Sequence, residues 1–189
     1  MGHANQLFPI APLSKKFTSK IYTPAIPAYH LLTPLSFYNQ WPIGLAIASD
    51  GRRFVCYTRG SDEYTLGIVV NQTAEAPFPT KGPVMNLPPN ELNTTMNGIA
   101  FGSNSTTGLI SVQALFVTPV SKGYPETLWI LDTGRPTVHS AAGDPSMPYA
   151  VPGGPKLLAM NITAGNDTVY KTYTFPSTVH YPDSYFNDL

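Results

Sequence analysis

An all-β fold of short strands, arranged as the blades of a β-propeller, is predicted by three observations on this 189-residue sequence. Its 20 prolines and 15 glycines leave hardly a stretch long enough for an ordinary helix. Apolar residues recur with the period of two that belongs to strands, first at Ile43, Leu45 and Ile47 and again at Val112, Ala114 and Phe116. Each recurrence opens a strand-turn-strand phrase, and setting Ile43 against Val112 gives a repeat of roughly seventy residues with room for four short strands. A single β-sandwich also offers regular strands and turns and is the competing architecture.

Taken in order, residues 1–40 are a leader broken by Pro9, Pro12, Pro24, Pro27 and Pro34, expected to wrap over the domain as extended chain. Blade one is expected over about 41–108. Ile43 to Ile47 forms its first strand, Ser49-Asp50-Gly51-Arg52 the turn, Phe54 to Thr58 the second strand and Thr65 to Val70 the third, before a long polar stretch from Asn71 to Thr107. Blade two is expected over about 109–180. Its strands are the Val112 phrase, Leu128 to Leu131, Lys156 to Ile162 and Val169 to Phe175, the last two joined by Thr163-Ala164-Gly165-Asn166. Residues 181–189 would begin a third blade.

Charge narrows the function classes. The chain has 11 basic and 11 acidic residues, 12% charged in all, against roughly 25% for ordinary soluble domains. With no basic block it lacks the electrostatic footprint of a nucleic-acid partner, and no apolar run is long enough for a membrane span. Hydration of so uncharged a surface could come from glycans: Asn71, Asn93, Asn104, Asn161 and Asn166 each begin an N-x-T sequon. These favour an extracellular, secreted protein, although no signal peptide is visible in a start that reads Leu7 to Leu13 with two prolines. Cys56, alone in the apolar run Phe54-Val55-Cys56-Tyr57, reads as a buried small hydrophobe.

Several phrases then occur in a telling order: Trp41-Pro42-Ile43-Gly44-Leu45-Ala46, Ser49-Asp50-Gly51-Arg52, Leu128-Trp129-Ile130-Leu131-Asp132-Thr133-Gly134, Gly154-Pro155-Lys156-Leu157, and Pro182-Asp183-Ser184-Tyr185-Phe186-Asn187-Asp188-Leu189. Together they resemble the major royal jelly protein/yellow family. The resemblance implies a secreted six-bladed β-propeller of which residues 41–189 supply about two blades, so that the remaining blades would be partners missing from this chain. It also implies a small-molecule ligand in the central channel.

Candidate chemistry is sparse. Asp132, directly after an apolar strand, is either a carboxylate facing the channel or the cap of the Thr133-Gly134 turn. His139 stands in a Gly/Pro/Ser-rich loop without a partner carboxylate in register; His3, His30 and His180 are isolated, and no histidine spacing suits a metal. Asn187-Asp188 resembles the Asn-Asp phrase of gluconolactonase-type propellers, which implies a ligand or divalent-metal role, calcium, magnesium or manganese suiting such oxygen donors. The glutamate that those enzymes carry early in blade one is replaced here by Gly44-Leu45-Ala46. No cofactor is therefore expected, and the competing role for Asn187 and Asp188 is backbone bonding at a blade junction. Trp41, Trp129, Tyr185 and Phe186 read as inter-blade packing.

The function the resemblance implies is binding of a small aromatic or amine-like ligand without catalysis. The alternatives are an enzyme of pigment or secondary metabolism, a dopachrome-conversion-type isomerase or lactonase-like hydrolase, and a glycosylated extracellular interaction module.

Overall fold

The computed structural model describes residues 41–57, 64–79, 94–96, 99–101, 108–135, 138–139, 145–147, 149–151 and 153–189. The leader over 1–40, the sequon asparagines Asn93 and Asn104, and His3 and His30 lie outside them. All described residues fall in one compact unit. They contain no α-helix, only a single 3-10 turn at Thr163–Gly165.

The chain is all-β. A first antiparallel sheet follows chain order through β1 (Pro42–Ile47), β2 (Arg53–Tyr57), β3 (Leu66–Asn71) and β4 (Ala74–Pro77). A second sheet is built from β7 (Val112–Thr118), β8 (Thr127–Asp132), β11 (Lys156–Asn161) and β12 (Thr168–Thr174), again in chain order. Two small ladders interrupt the sequence: β5 (Thr94–Met96) with β6 (Ile99–Phe101), and β9 (Val138–His139) with β10 (Pro145–Ser146).

The turns explain the hairpins. Gly51, at φ 86°, closes β1 onto β2 with Ala48 N donating to Arg52 O and Gly51 N to Ala48 O, a left-handed position that suits glycine. Asp50 caps the same turn by accepting from Arg52 N at 3.0 Å, and that bond, with the Arg52 guanidinium beside it, holds its carboxyl below the usual carboxylate range. β4 lies within the stretch expected to be polar loop. Its sequence, Ala-Glu-Ala-Pro, has little strand propensity, and it is held in place by the backbone ladder that β3 offers.

The core lies between the two sheets. Phe54, Cys56 and Leu66 of the first sheet and Leu128, Ile130, Leu158 and Met160 of the second belong to one buried cluster. On β1 it is the small residues that face inward: Ala46 is buried, as is Ala48 just beyond the strand, while Ile43, Leu45 and Ile47 are exposed. Gly44 has to be small, since a β-carbon there would sit 2.7 Å from Cys56 Sγ. Val55 and Tyr57 join Tyr64 and Val69 in a second cluster on the sheet's other face, so β2 is buried on both sides. That double burial is why its sequence reads as a continuous apolar run rather than an alternating one.

The two sheets are tied at one end through their turns. Glu126, almost fully buried, accepts from Ser49 N at 2.6 Å and Ser49 Oγ at 2.9 Å. Arg52 donates to Asp167 Oδ1 at 2.8 Å and to the Ile162 carbonyl. The β1–β2, β3–β4, β7–β8 and β11–β12 turns therefore share this end, and the β2–β3 and β8–β11 connections lie at the other.

Candidate ligand cleft

β1 and β7 are the free edges of their sheets and lie against one another. Their backbones approach at Gly44, where a β-carbon would come within 3.7 Å of Gln113 O. Each carries a bulge at the same point. β1 shifts register between Pro42 and Gly44, leaving Ile43 as the extra residue, and β7 shifts between Val112 and Ala114, leaving Gln113. The structural repeat thus sets Ile43 against Gln113, one residue on from the alignment that hydrophobic pattern suggested. A bulge re-aims the side chain it adds. Here both added side chains line the same cleft.

The cleft has a volume of about 490 Å³ and is walled by Ile43 to Leu45, Gln113 to Leu115, Asn187 and Asp188. That is within the roughly 300–1,000 Å³ of small-molecule sites. Gln113 organises it. Its Nε2 donates to Asn187 Oδ1 at 2.8 Å, and its Oε1 accepts from Tyr185 Oη at 2.5 Å. Burial pushes the Tyr185 phenol up, so it stays a proton donor.

Residues 175–189 form no strand. They run as a strap pinned by Ala150 N to Pro182 O at 2.7 Å and by Arg135 donating to Asp183 O, while Phe186 packs on Phe175 within the segment, centroids 4.8 Å apart. The Arg135 guanidinium also lies 6.0 Å from the Tyr185 ring centroid. The strap delivers Asn187 and Asp188 to the cleft. Asp188 Oδ1 accepts from Leu189 N at 2.8 Å, and its carboxylate is the cleft's charged group.

Asp132 lies elsewhere and does other work. Fully buried, it accepts from Gly134 N at 2.8 Å and Ser111 N at 2.9 Å on Oδ1, and from Ile110 N at 2.8 Å and Lys156 Nζ at 2.9 Å on Oδ2. It is the turn cap that Asp-Thr-Gly suggested, extended to tie down the strand entry at Ile110 and Ser111. Lys156, itself fully buried, gives a further bond to Gly154 O at 3.0 Å. His139 belongs to β9, but its side chain lies outside the described residues. His180 is half-buried, with its ring near Phe186. Cys56 is fully buried, and desolvation pushes its thiol up to about 12, so the unreactive reading stands.

Among the aromatic residues expected to pack between blades, Trp129 is half-buried with Nε1 donating to Thr118 Oγ1 at 3.2 Å. Trp41 is 89% exposed and packs on nothing described. A divalent cation does not fit the described residues: Asn187 Oδ1, the oxygen the resemblance would give it, already accepts from Gln113, and no group of three His, Cys, Asp or Glu is assembled among them. Nor, among the described residues, is any helix long and apolar enough to cross a membrane.

Gln113 was not among the residues singled out from sequence. The only signal for it was a polar side chain between Val112 and Ala114, which strand alternation explains equally well. No family model matches the chain, and no curated protein matches it in sequence.

Proposed function

We propose that the two sheets are successive blades of a secreted β-propeller of the major royal jelly protein/yellow type, and that the cleft beside their first strands binds a small aromatic amine without catalysis. The observation that carries this is the pair of equivalent bulges, which point Ile43 and Gln113 into one cleft whose charged group is the Asp188 carboxylate. The lining of the cleft is chiefly polar: Gln113 and Asn187 give hydrogen bonds, and Asp188 attracts an ammonium. The stack of two four-stranded meanders with their first strands in contact is what blade packing requires. Catalysis finds less support, because Asp132, the carboxylate considered for it, is enclosed by four donors.

Titration calorimetry with phenethylamine tests the reading. Binding is expected to survive chelation of divalent metal and to weaken about tenfold in Asp188→Asn, the scale of one hydrogen bond to a charged group. The neutral analogue 2-phenylethanol should bind correspondingly more weakly. Equal affinity of the amine for the wild type and the Asp188 variant, or no binding at all, would overturn it.

A further inference from the structure

Three sequons fall among the described residues, and the fold treats them differently. Asn71 ends β3 and is exposed, and its turn is closed by its own sequon: Thr73 N donates to Asn71 Oδ1 at 2.9 Å and Thr73 Oγ1 to the same oxygen at 3.2 Å. Asn166 sits in the β11–β12 turn, also exposed, with Thr168 Oγ1 donating to Asn166 Oδ1 at 2.6 Å. In both, the sequon threonine hydroxyl engages the side-chain carbonyl of an exposed asparagine at a hairpin turn.

Asn161 shares with Asn71 the bond from the threonine N–H but differs in burial and in the use of the threonine hydroxyl. It is the last residue of β11, paired with Thr127 of β8 on one side and Thr168 of β12 on the other, and is half-buried. Its Oδ1 accepts from Thr163 N at 2.9 Å, while the hydroxyl of Thr163 accepts from Glu126 N at 3.1 Å instead of reaching back to the asparagine. A glycan at this position would stand at the end of a strand laddered on both sides, beside the Glu126 junction.

We propose that Asn71 and Asn166 carry N-linked glycans and that Asn161 stays bare in the folded protein. Both acceptors lie on the turn between the third and fourth strand of a sheet, the end shared by the β1–β2 and β7–β8 turns. The cleft is lined by the opening residues of β1 and β7, toward the opposite end. Carbohydrate would thus cover one end of the layers and leave the cleft clear. The modification rests on the secretory reading above. Its chemistry is a substitution in which the asparagine amide nitrogen forms a bond to C1 of an N-acetylglucosamine, the C1–O bond to a lipid-linked pyrophosphate breaks, the pyrophosphate leaves on the lipid, and the amide loses one proton.

The test uses the full chain passed through the secretory pathway of a eukaryotic host behind an added signal peptide. The folded, monodisperse fraction is deglycosylated in oxygen-18 water by an amidase that converts each glycan-bearing asparagine to labelled aspartate, and peptides spanning the three sites are read by mass spectrometry. Label at positions 71 and 166 and none at 161 is expected. Label at 161 in that fraction, or its absence from 71 or 166, overturns the proposal. Phenethylamine affinity measured before and after deglycosylation should not change, and a several-fold change would overturn the placement of the glycans away from the cleft. Should phenethylamine fail to bind, the amine reading falls while the peptide map still decides the glycan sites.

Discussion

Lys156 is the least expected residue of the fold, because lysine is almost never fully buried unless paired. Its pairing with Asp132 is asymmetric. Among the described residues the carboxylate has three backbone donors besides the ammonium, whereas the ammonium has, apart from Asp132, the Gly154 carbonyl alone. Removing the carboxylate strands a buried charge and three backbone N–H groups, so Asp132→Ala should cost about 3–5 kcal/mol. Lys156→Met leaves the carboxylate solvated by its backbone donors and should cost less, about 1–3 kcal/mol. Urea melts of the two variants check the order. If Lys156→Met proves the more damaging, the carboxylate does not depend mainly on its backbone donors. The cap was legible in Asp-Thr-Gly, since an aspartate two residues before a glycine bonds the turn it begins. The lysine was not, because the partners are 24 residues apart in sequence and only the register of β8 against β11 brings Lys156 opposite Asp132.

Among the elements, the long strands were legible because their residues state a pattern without help from elsewhere. β2 and β8 are continuous apolar runs, and β12 is a Thr/Tyr/Val segment following a turn. β4 was not legible. Alanine, glutamate and proline carry no strand signal, and the edge of β3 imposes the conformation. Nor were the bulges of β1 and β7, since an inserted residue leaves the local alternation looking intact and shows only against the partner strand. The junction between the sheets lies at this scale too. Glu126 reaches across from the β7–β8 turn to both the N–H and the hydroxyl of Ser49. Glu126→Ala should therefore cost about 2–3 kcal/mol, and Ser49→Ala, which keeps the backbone donor, about 1 kcal/mol. In a double-mutant cycle the two should be strongly non-additive. Additive effects would mean that the turns are held together by other contacts.

At the scale of the molecule, the sheets share one core, and their stability is expected to be shared as well. Phe54, fully buried in the first sheet and tilted against Phe78 at 4.8 Å, touches the cluster that the second sheet completes. Phe54→Ala should cost about 3–5 kcal/mol. The loss should appear undiminished in the fluorescence of Trp129, which belongs to the second sheet, when Trp41 is replaced by Phe to isolate the signal. A transition at Trp129 that does not move, or that separates from the far-ultraviolet dichroism, would show that the sheets unfold independently.

The filling between the layers also has a gradient of bulk. Along the face that meets the second sheet, the first sheet offers Gly44, Ala46 and Ala48 at its β1 margin, then Phe54 and Cys56, then Leu66 and Ile68. Dense packing makes two layers lie as close as the atoms between them allow, and the small residues of β1 let its backbone approach β7 where Gly44 meets Gln113. Three small residues thereby set the geometry around the cleft as firmly as the side chains that line it.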